Sequence, residues 1–159
     1  MMSPALFSVL ALLGTPPPAP VTLGAQAGQT ATLRVDLALR DTLLSREALN
    51  LLTLQTPWGQ LQTRPSGTAH RDPAYAGYFG QVRPMTLKVK VPAQVRAGRY
   101  AAQLTADLFV CDTADKLCTR RTLKLPVQLQ VGKVARPGTL SLKDEHLRPA
   151  RLRRGLTGN

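Results

Sequence analysis

The stretches YAAQLTADLFV and TLKLPVQLQV, residues 100–110 and 122–131, alternate apolar and polar side chains almost without interruption. A period of two sends successive side chains to opposite faces of a strand, so both read as half-buried β-strands. Tyr100, Ala102, Leu104, Ala106, Leu108 and Val110 face one way in the first; Leu123, Leu125, Val127, Leu129 and Val131 do so in the second. TATLRVDLALR repeats the pattern, with Leu33, Val35, Leu37 and Leu39 set against Thr32, Arg34, Asp36 and Arg40. So does MTLKVKV, with Met85, Leu87, Val89 and Val91 inward. Strands of this kind, joined by turns such as PAQVRAGRY, point to an antiparallel β-sandwich or barrel.

The only two cysteines, Cys111 and Cys118, lie where the two best strands meet, with six residues between them. Placing Cys111 opposite Cys118 in an antiparallel ladder sets Leu104 opposite Leu125, Ala102 opposite Val127, Tyr100 opposite Leu129 and Ala106 opposite Leu123. Apolar meets apolar throughout, and a slip of one residue would flip a whole face. Opposed Cα atoms lie roughly 4.5–5.5 Å apart, within the roughly 4.4–6.8 Å that a disulfide accepts. The same parity puts both sulfurs on the polar face, beside Phe109, Arg120, Asp107 and Thr122. Closing a ring of about eight residues stabilises a fold by only about 2.5 kcal/mol. The residues alone leave redox exchange and a plain structural clip equally open. A metal site is the weakest reading, because zinc sites space cysteines by two to four residues and need more ligands. Nothing places His70 or His146 nearby. Lys116, Arg120 and Arg121 would favour a thiolate here, while Asp112 and Asp115 oppose it.

Elsewhere the pattern weakens. DTLLSREALNLL has helical character, with Thr42 or Ser45 as cap and Glu47 in the first turn, although a loop with one helical turn fits equally. Pro57-Trp58-Gly59 marks a turn. Residues 64–80 read as a long irregular loop, and a loop of that length is functional or disordered. Trp58 and the loop tyrosines can form a sugar or peptide platform, but core or turn packing explains them as well. The alternation stops after Val131, and residues 133–159 read as a basic tail, flexible or a loosely docked helix.

At the N-terminus, MMSPALFSVLALLGTPPPAP carries an apolar run over residues 5–13 that suits a secretory signal and is too short to span a bilayer. No Lys or Arg precedes it; Ala25-Gln26-Ala27 fits the cleavage rule but can equally belong to the first strand, and a buried N-terminal strand or helix is the alternative to an export signal. Residues 1–20 are therefore expected to be a signal peptide and Pro-rich linker, 21–132 the folded domain. That expectation places the protein outside the cytoplasm, where two cysteines can pair. A net charge of +12 favours polyanions. The basic residues are scattered through strands, so no nucleic acid is expected. Arg148, Arg151, Arg153 and Arg154 can bind an anionic envelope polymer or lipid, or simply keep the tail soluble. No phosphate-cradling loop, nucleophile elbow or hydrolytic carboxylate pair is visible, and no cofactor is expected.

GYFGQVRPMTLKVKVPAQVRAGRYAAQLTADLFVCDTADKLCTRRTLKLPVQLQV resembles the N-terminal periplasmic domain of the thiol:disulfide interchange protein DsbD. The shared marks are Tyr78, Gly80 and Val82 before the first of these strands, the VPA strand end, the GRY turn and a strand running into the cysteines. GQTATLRVDLAL is similar to that family's first core strand. The resemblance covers residues 21–131. It implies an immunoglobulin-like sandwich whose cysteine pair, Cys111 and Cys118, receives electrons from a membrane partner and passes them to periplasmic proteins. It also implies a cap loop over residues 70–79 that shields the pair with an aromatic ring, Tyr75 first, then Tyr78 or Phe79. The sequence departs from the family in having six residues, not five, between the cysteines, and Thr119-Arg120-Arg121 where the family has x-Pro-Pro. The function so implied is thiol:disulfide oxidoreduction with membrane-embedded or periplasmic thiol:disulfide proteins. The alternative is a non-enzymatic envelope domain clipped by the same bridge, binding a protein or an anionic polymer.

Overall fold

The alternating stretches become the two layers of an all-β sandwich in the computed structural model, which describes residues 18–132 and 134–149. The large sheet has the order β1 (Val21–Ala25), β10 (Leu117–Val131), β9 (Gly98–Asp112), β4 (Leu51–Thr56), β5 (Gly59–Thr63), with β3 (Thr42–Leu44) also pairing β9. The small sheet runs β11 (Gly138–Lys143), β2 (Thr30–Ala38), β8 (Met85–Lys90). A short hairpin of β6 (Gly67–Ala69) and β7 (Phe79–Val82) stands apart.

The β9–β10 ladder has the register that the apolar pattern demands: Leu104 faces Leu125, Ala102 faces Val127, Tyr100 faces Leu129, and Cys111 faces Cys118. Leu104 and Leu108 from one layer and Leu33 and Val35 from the other are fully buried. Burying a side chain of this size stabilises the fold by about 1.5–3 kcal/mol. Pro126 sits inside β10 at the last position before β1 joins the strand at Val127. A residue with no N–H is tolerated there because, among the described residues, no strand pairs with that side.

Four expectations are corrected. First, the pairing is not wholly antiparallel: β1 runs parallel to β10 and β11 parallel to β2. The chain changes sheet after β1 and again after β10, and mutual backbone bonds of 2.9 Å between Gly24 and Arg136 tie the two crossings together. Second, residues 138–147 are no tail. β11 adds a strand to the small sheet, and Leu140, Leu142 and Leu147 enter the core. Gly138 is required where β11 passes β1, since a Cβ there would run into Leu23 and Val21. Third, DTLLSREALNLL forms β3, a bend and β4 rather than a helix. Ser45 does cap locally: its Oγ accepts the N–H groups of Glu47 (3.3 Å) and Ala48 (3.0 Å). Fourth, the span 64–80 is ordered around the β6–β7 hairpin, where Gly67 and Gly80 let the backbones approach more closely than a Cβ allows. Leu23 and Ala25 are buried in β1, so the Ala25-Gln26-Ala27 cleavage candidate falls inside the fold. The apolar run at residues 5–13 and Arg151, Arg153 and Arg154 lie outside the described residues.

Trp58, in the β4–β5 turn, packs against Tyr100 with ring centroids 5.2 Å apart. The pair lies at the start of β9, the opposite end of that strand from Cys111.

Candidate functional site

β9 and β10 bring Cys111 and Cys118 face to face, and the two are joined by a disulfide with Cα atoms 4.0 Å apart. The four residues Asp112–Asp115 begin the reversal, and Lys116 completes it in the left-handed region at φ 50°. Asp112 organises the turn by accepting the N–H of Ala114 (2.9 Å) on its carboxylate.

The two sulfurs have different surroundings. Cys111 is 5% exposed, whereas Cys118 is exposed. Cys111 sits on β9 between β10 and β3, with Leu43 opposite it on the β3 side. Cys118 sits on β10, and among the described residues no strand lies beyond it at that point.

The cover over Cys111 comes from the connection between β6 and β7. Asp72 accepts the N–H of Ala74 (2.9 Å) and starts a 3-10 turn over Pro73–Tyr75. Tyr78 N–H then returns to the Tyr75 carbonyl (3.0 Å), and His70 N–H bonds the Tyr78 carbonyl (3.0 Å). The loop is pinned from below. Arg46 N–H donates to the Gly77 carbonyl (2.8 Å), its guanidinium to the Ala76 carbonyl (3.1 Å), and Ser45 forms a β-bridge with Tyr78. Because Ser45 continues the strand that pairs with Cys111, this bridge delivers the Tyr78 side chain to the disulfide. Its hydroxyl lies 3.2 Å from Cys111 Sγ and 4.0 Å from Cys118 Sγ. Tyr78, not Tyr75, is therefore the ring at the sulfurs. Tyr75 is held inside the loop, edge-on to His70 with centroids 5.3 Å apart. Phe79 packs against the core and lines a groove with Leu37, Leu43 and Val82.

The three basic residues named from the sequence separate. Arg120 shares the face of the sulfurs, but its guanidinium is engaged by Asp107 (3.2 Å) and the Leu49 carbonyl (3.0 Å). Arg121 pairs with Leu108 and so points to the opposite face. Lys116 is exposed in the turn.

Two groups that the sequence reading passed over hold this end of the sandwich. Asn50 fills the gap between β3 and β4. Its side-chain carbonyl accepts Phe109 N–H (2.8 Å), and its amide donates to the Ser45 carbonyl. Asp144 opens the short helix α1 (Asp144–Leu147) and accepts the N–H groups of Arg40 (3.0 Å), Asp41 (3.1 Å) and Thr42 (3.2 Å). Burial alone would raise its pKa. The backbone donors Asp41, Arg40 and Thr42 outweigh that and hold the carboxyl below the usual carboxylate range. Asp41 in turn accepts from Thr113 N–H (3.1 Å) in the hairpin tip, and Arg148 lies 3.8 Å from the buried Asp112 carboxylate. The segment that supplies Asp144 and Arg148 thus supports the disulfide strand from behind. A spacing signal for these contacts does not exist, since Asp144 and Arg40 are more than a hundred residues apart.

A closed bridge in this position fits a non-reducing compartment. Among the described residues no helix is long and apolar enough to cross a membrane. No protein-family model matches the chain, and no curated protein matches it either.

Proposed function

We propose that the protein is an extracytoplasmic thiol:disulfide interchange domain that exchanges electrons with protein partners through Cys111 and Cys118. The observation that carries this reading is the unequal shielding of one bridge. One sulfur is exposed, and the other lies under a tyrosine held in place by a dedicated loop. A bridge whose only task is to clip a hairpin gains nothing from such a loop. The resemblance to the DsbD N-terminal domain points the same way.

The asymmetry supports one order of events. A partner thiolate attacks exposed Cys118, a mixed disulfide forms, and the electron pair of the broken bond leaves on Cys111 Sγ. The Tyr78 hydroxyl is placed to donate a hydrogen bond to that thiolate, and a hydrogen bond to the charged form favours it. The ring then covers the idle thiol.

Equilibration with glutathione and thioredoxin buffers tests the reading. The expected potential lies above about −300 mV, the region of labile bridges. The Cys111→Ala variant is expected to trap mixed disulfides through Cys118, and Cys118→Ala to trap none. A potential well below that line with no trapping in either variant returns the bridge to a structural clip.

A further inference from the structure

The ladder around the disulfide has a definite phase. Phe109 donates its N–H to Asn50 Oδ1 (2.8 Å), and its carbonyl accepts Ser45 N–H (3.0 Å). Both bonds run away from β10, so Phe109 and its opposite residue Arg120 exchange no ladder bond. This phase recurs at every second residue. Cys118, Arg120, Thr122 and Lys124 therefore aim their N–H and carbonyl groups away from β9. Pro126 falls in the same phase and has no N–H to aim. β1 covers that side only from Val127 onward. Among the described residues, no strand pairs with it over residues 117–126.

We propose that this open edge of β10, residues 118–124, is the docking strand for the redox partner, which adds an extended, acidic, cysteine-bearing segment to the sheet opposite Cys118. The proposal rests on the exchange reading above. Displacement at a disulfide sulfur is in-line, so the incoming sulfur must approach along the continuation of the bond that breaks. The bridge runs from β9 to β10, and beyond Cys118 its continuation leads to the open edge. Beyond Cys111 it leads toward β3, where Leu43 is the opposed residue. A residue added opposite Cys118 would have its Cα about 4.5–5.5 Å away, inside the about 4.4–6.8 Å that a mixed disulfide needs. Charge selects the occupant. Lys124 lies on the exposed face of this edge and Lys116 in the turn precedes it, while the Arg120 charge on the same face is already met by Asp107. A second copy of this chain would bring the same cations against it, which is how proteins keep edges from self-pairing. An acidic segment complements them, and main-chain bonds to an edge strand provide register.

In the step itself, the partner thiolate forms a bond to Cys118 Sγ as the Cys111–Cys118 bond breaks and its electron pair moves to Cys111 Sγ. A second partner thiolate then breaks the mixed disulfide and frees Cys118 as thiolate. The partner's dithiol becomes a disulfide, two electrons pass to this protein, and the partner's two protons go to solvent or to the new thiolates.

The test uses the Cys111→Ala variant of the full chain, joined at Cys118 to a thiopyridyl-activated short peptide of alternating Glu and Val with one central cysteine. This adduct forms whatever the potential of the native bridge, so it judges docking separately from exchange. Amide exchange at Cys118, Arg120, Thr122 and Lys124 is expected to slow at least about tenfold relative to the glutathione adduct. Thr119, Arg121 and Leu123, already facing β9, are expected to stay unchanged. Equal exchange in the two adducts overturns the proposal. Protection of the same amides without peptide, growing with protein concentration, assigns the edge to a second copy and overturns the acidic-partner assignment. In the wild-type background, Thr122→Pro removes one outward N–H in a phase that Pro126 already occupies. It is expected to slow reduction by a dithiol form of the peptide about tenfold while glutathione reduction stays within about twofold. Equal effects on both reductants overturn the proposal.

Discussion

The two halves of the β9–β10 hairpin share one ladder but are built by different means. In the body, over residues 98–106 and 123–131, inward positions on both strands are apolar, and β1 and β4 flank the pair. Toward the tip the inward positions of β10 become Arg121 and Thr119, opposite Leu108 and Val110. Those two core residues are nevertheless fully buried. Segments remote in sequence complete this end: β3 pairs alongside Val110, Leu147 joins the same core cluster, and the β6–β7 connection lies against the sulfurs on the other face. The body is held by its own pattern, whereas the tip is held by what docks on it. A site that must admit a partner fits the second kind of construction, because local opening there leaves the core intact.

Four variants break or sharpen this contrast. Leu104→Ala empties a fully buried position in the body and is expected to cost about 2–5 kcal/mol in urea unfolding. The rate of thiol exchange should not change, since the tip is organised separately; a large rate change would show that the halves are coupled.

Opening the bridge in a Cys111→Ala/Cys118→Ala chain is expected to cost at most about 2.5 kcal/mol. Amide exchange should rise only over residues 107–122. A larger loss, or loss of protection in the body, would make the bridge a structural mainstay of the fold.

Asp144→Asn weakens three backbone hydrogen bonds beneath the tip and is expected to cost about 1–2 kcal/mol at neutral pH. The folded carboxyl titrates below its unfolded value, so its contribution is complete above about pH 4 and is lost as pH falls through the folded pKa. Wild type and variant should therefore converge in acid. A gap that persists at low pH would assign the effect to packing.

Arg120→Ala removes a surface ion pair with Asp107 and should cost less than about 1 kcal/mol, less still in high salt. A salt-independent loss would mean that its bond to the Leu49 carbonyl matters more than the charge.

Much of the body was legible because alternation is a local signal with one solution. Once Leu104 faces Leu125, the positions of Cys111 and Cys118 and the polar face carrying their sulfurs follow from parity. The tip was less legible. Residues 64–80 lack alternation, and the β6–β7 hairpin depends on glycines whose role is close backbone approach, a property without a periodic trace. Choosing among Tyr75, Tyr78 and Phe79 required the Ser45–Tyr78 bridge, which joins two segments that carry no matching pattern. β11 alternates over only six residues, GTLSLK, amid basic sequence, and its burial depends on the glycine that lets it pass β1.

The sequence by itself determined the all-β layers, the β9–β10 register and the opposition of the two cysteines, because the apolar alternation and the cysteine pair select the same pairing, with the inward residues of the two strands opposite one another. Only the tertiary structure decided that Tyr78 meets Cys111, that Cys118 stays exposed on a strand edge with no partner among the described residues, and that Asp144 supports the tip. Those outcomes depend on contacts between segments far apart in the chain, where each partner is satisfied by backbone groups whose positions exist only once the sandwich has closed.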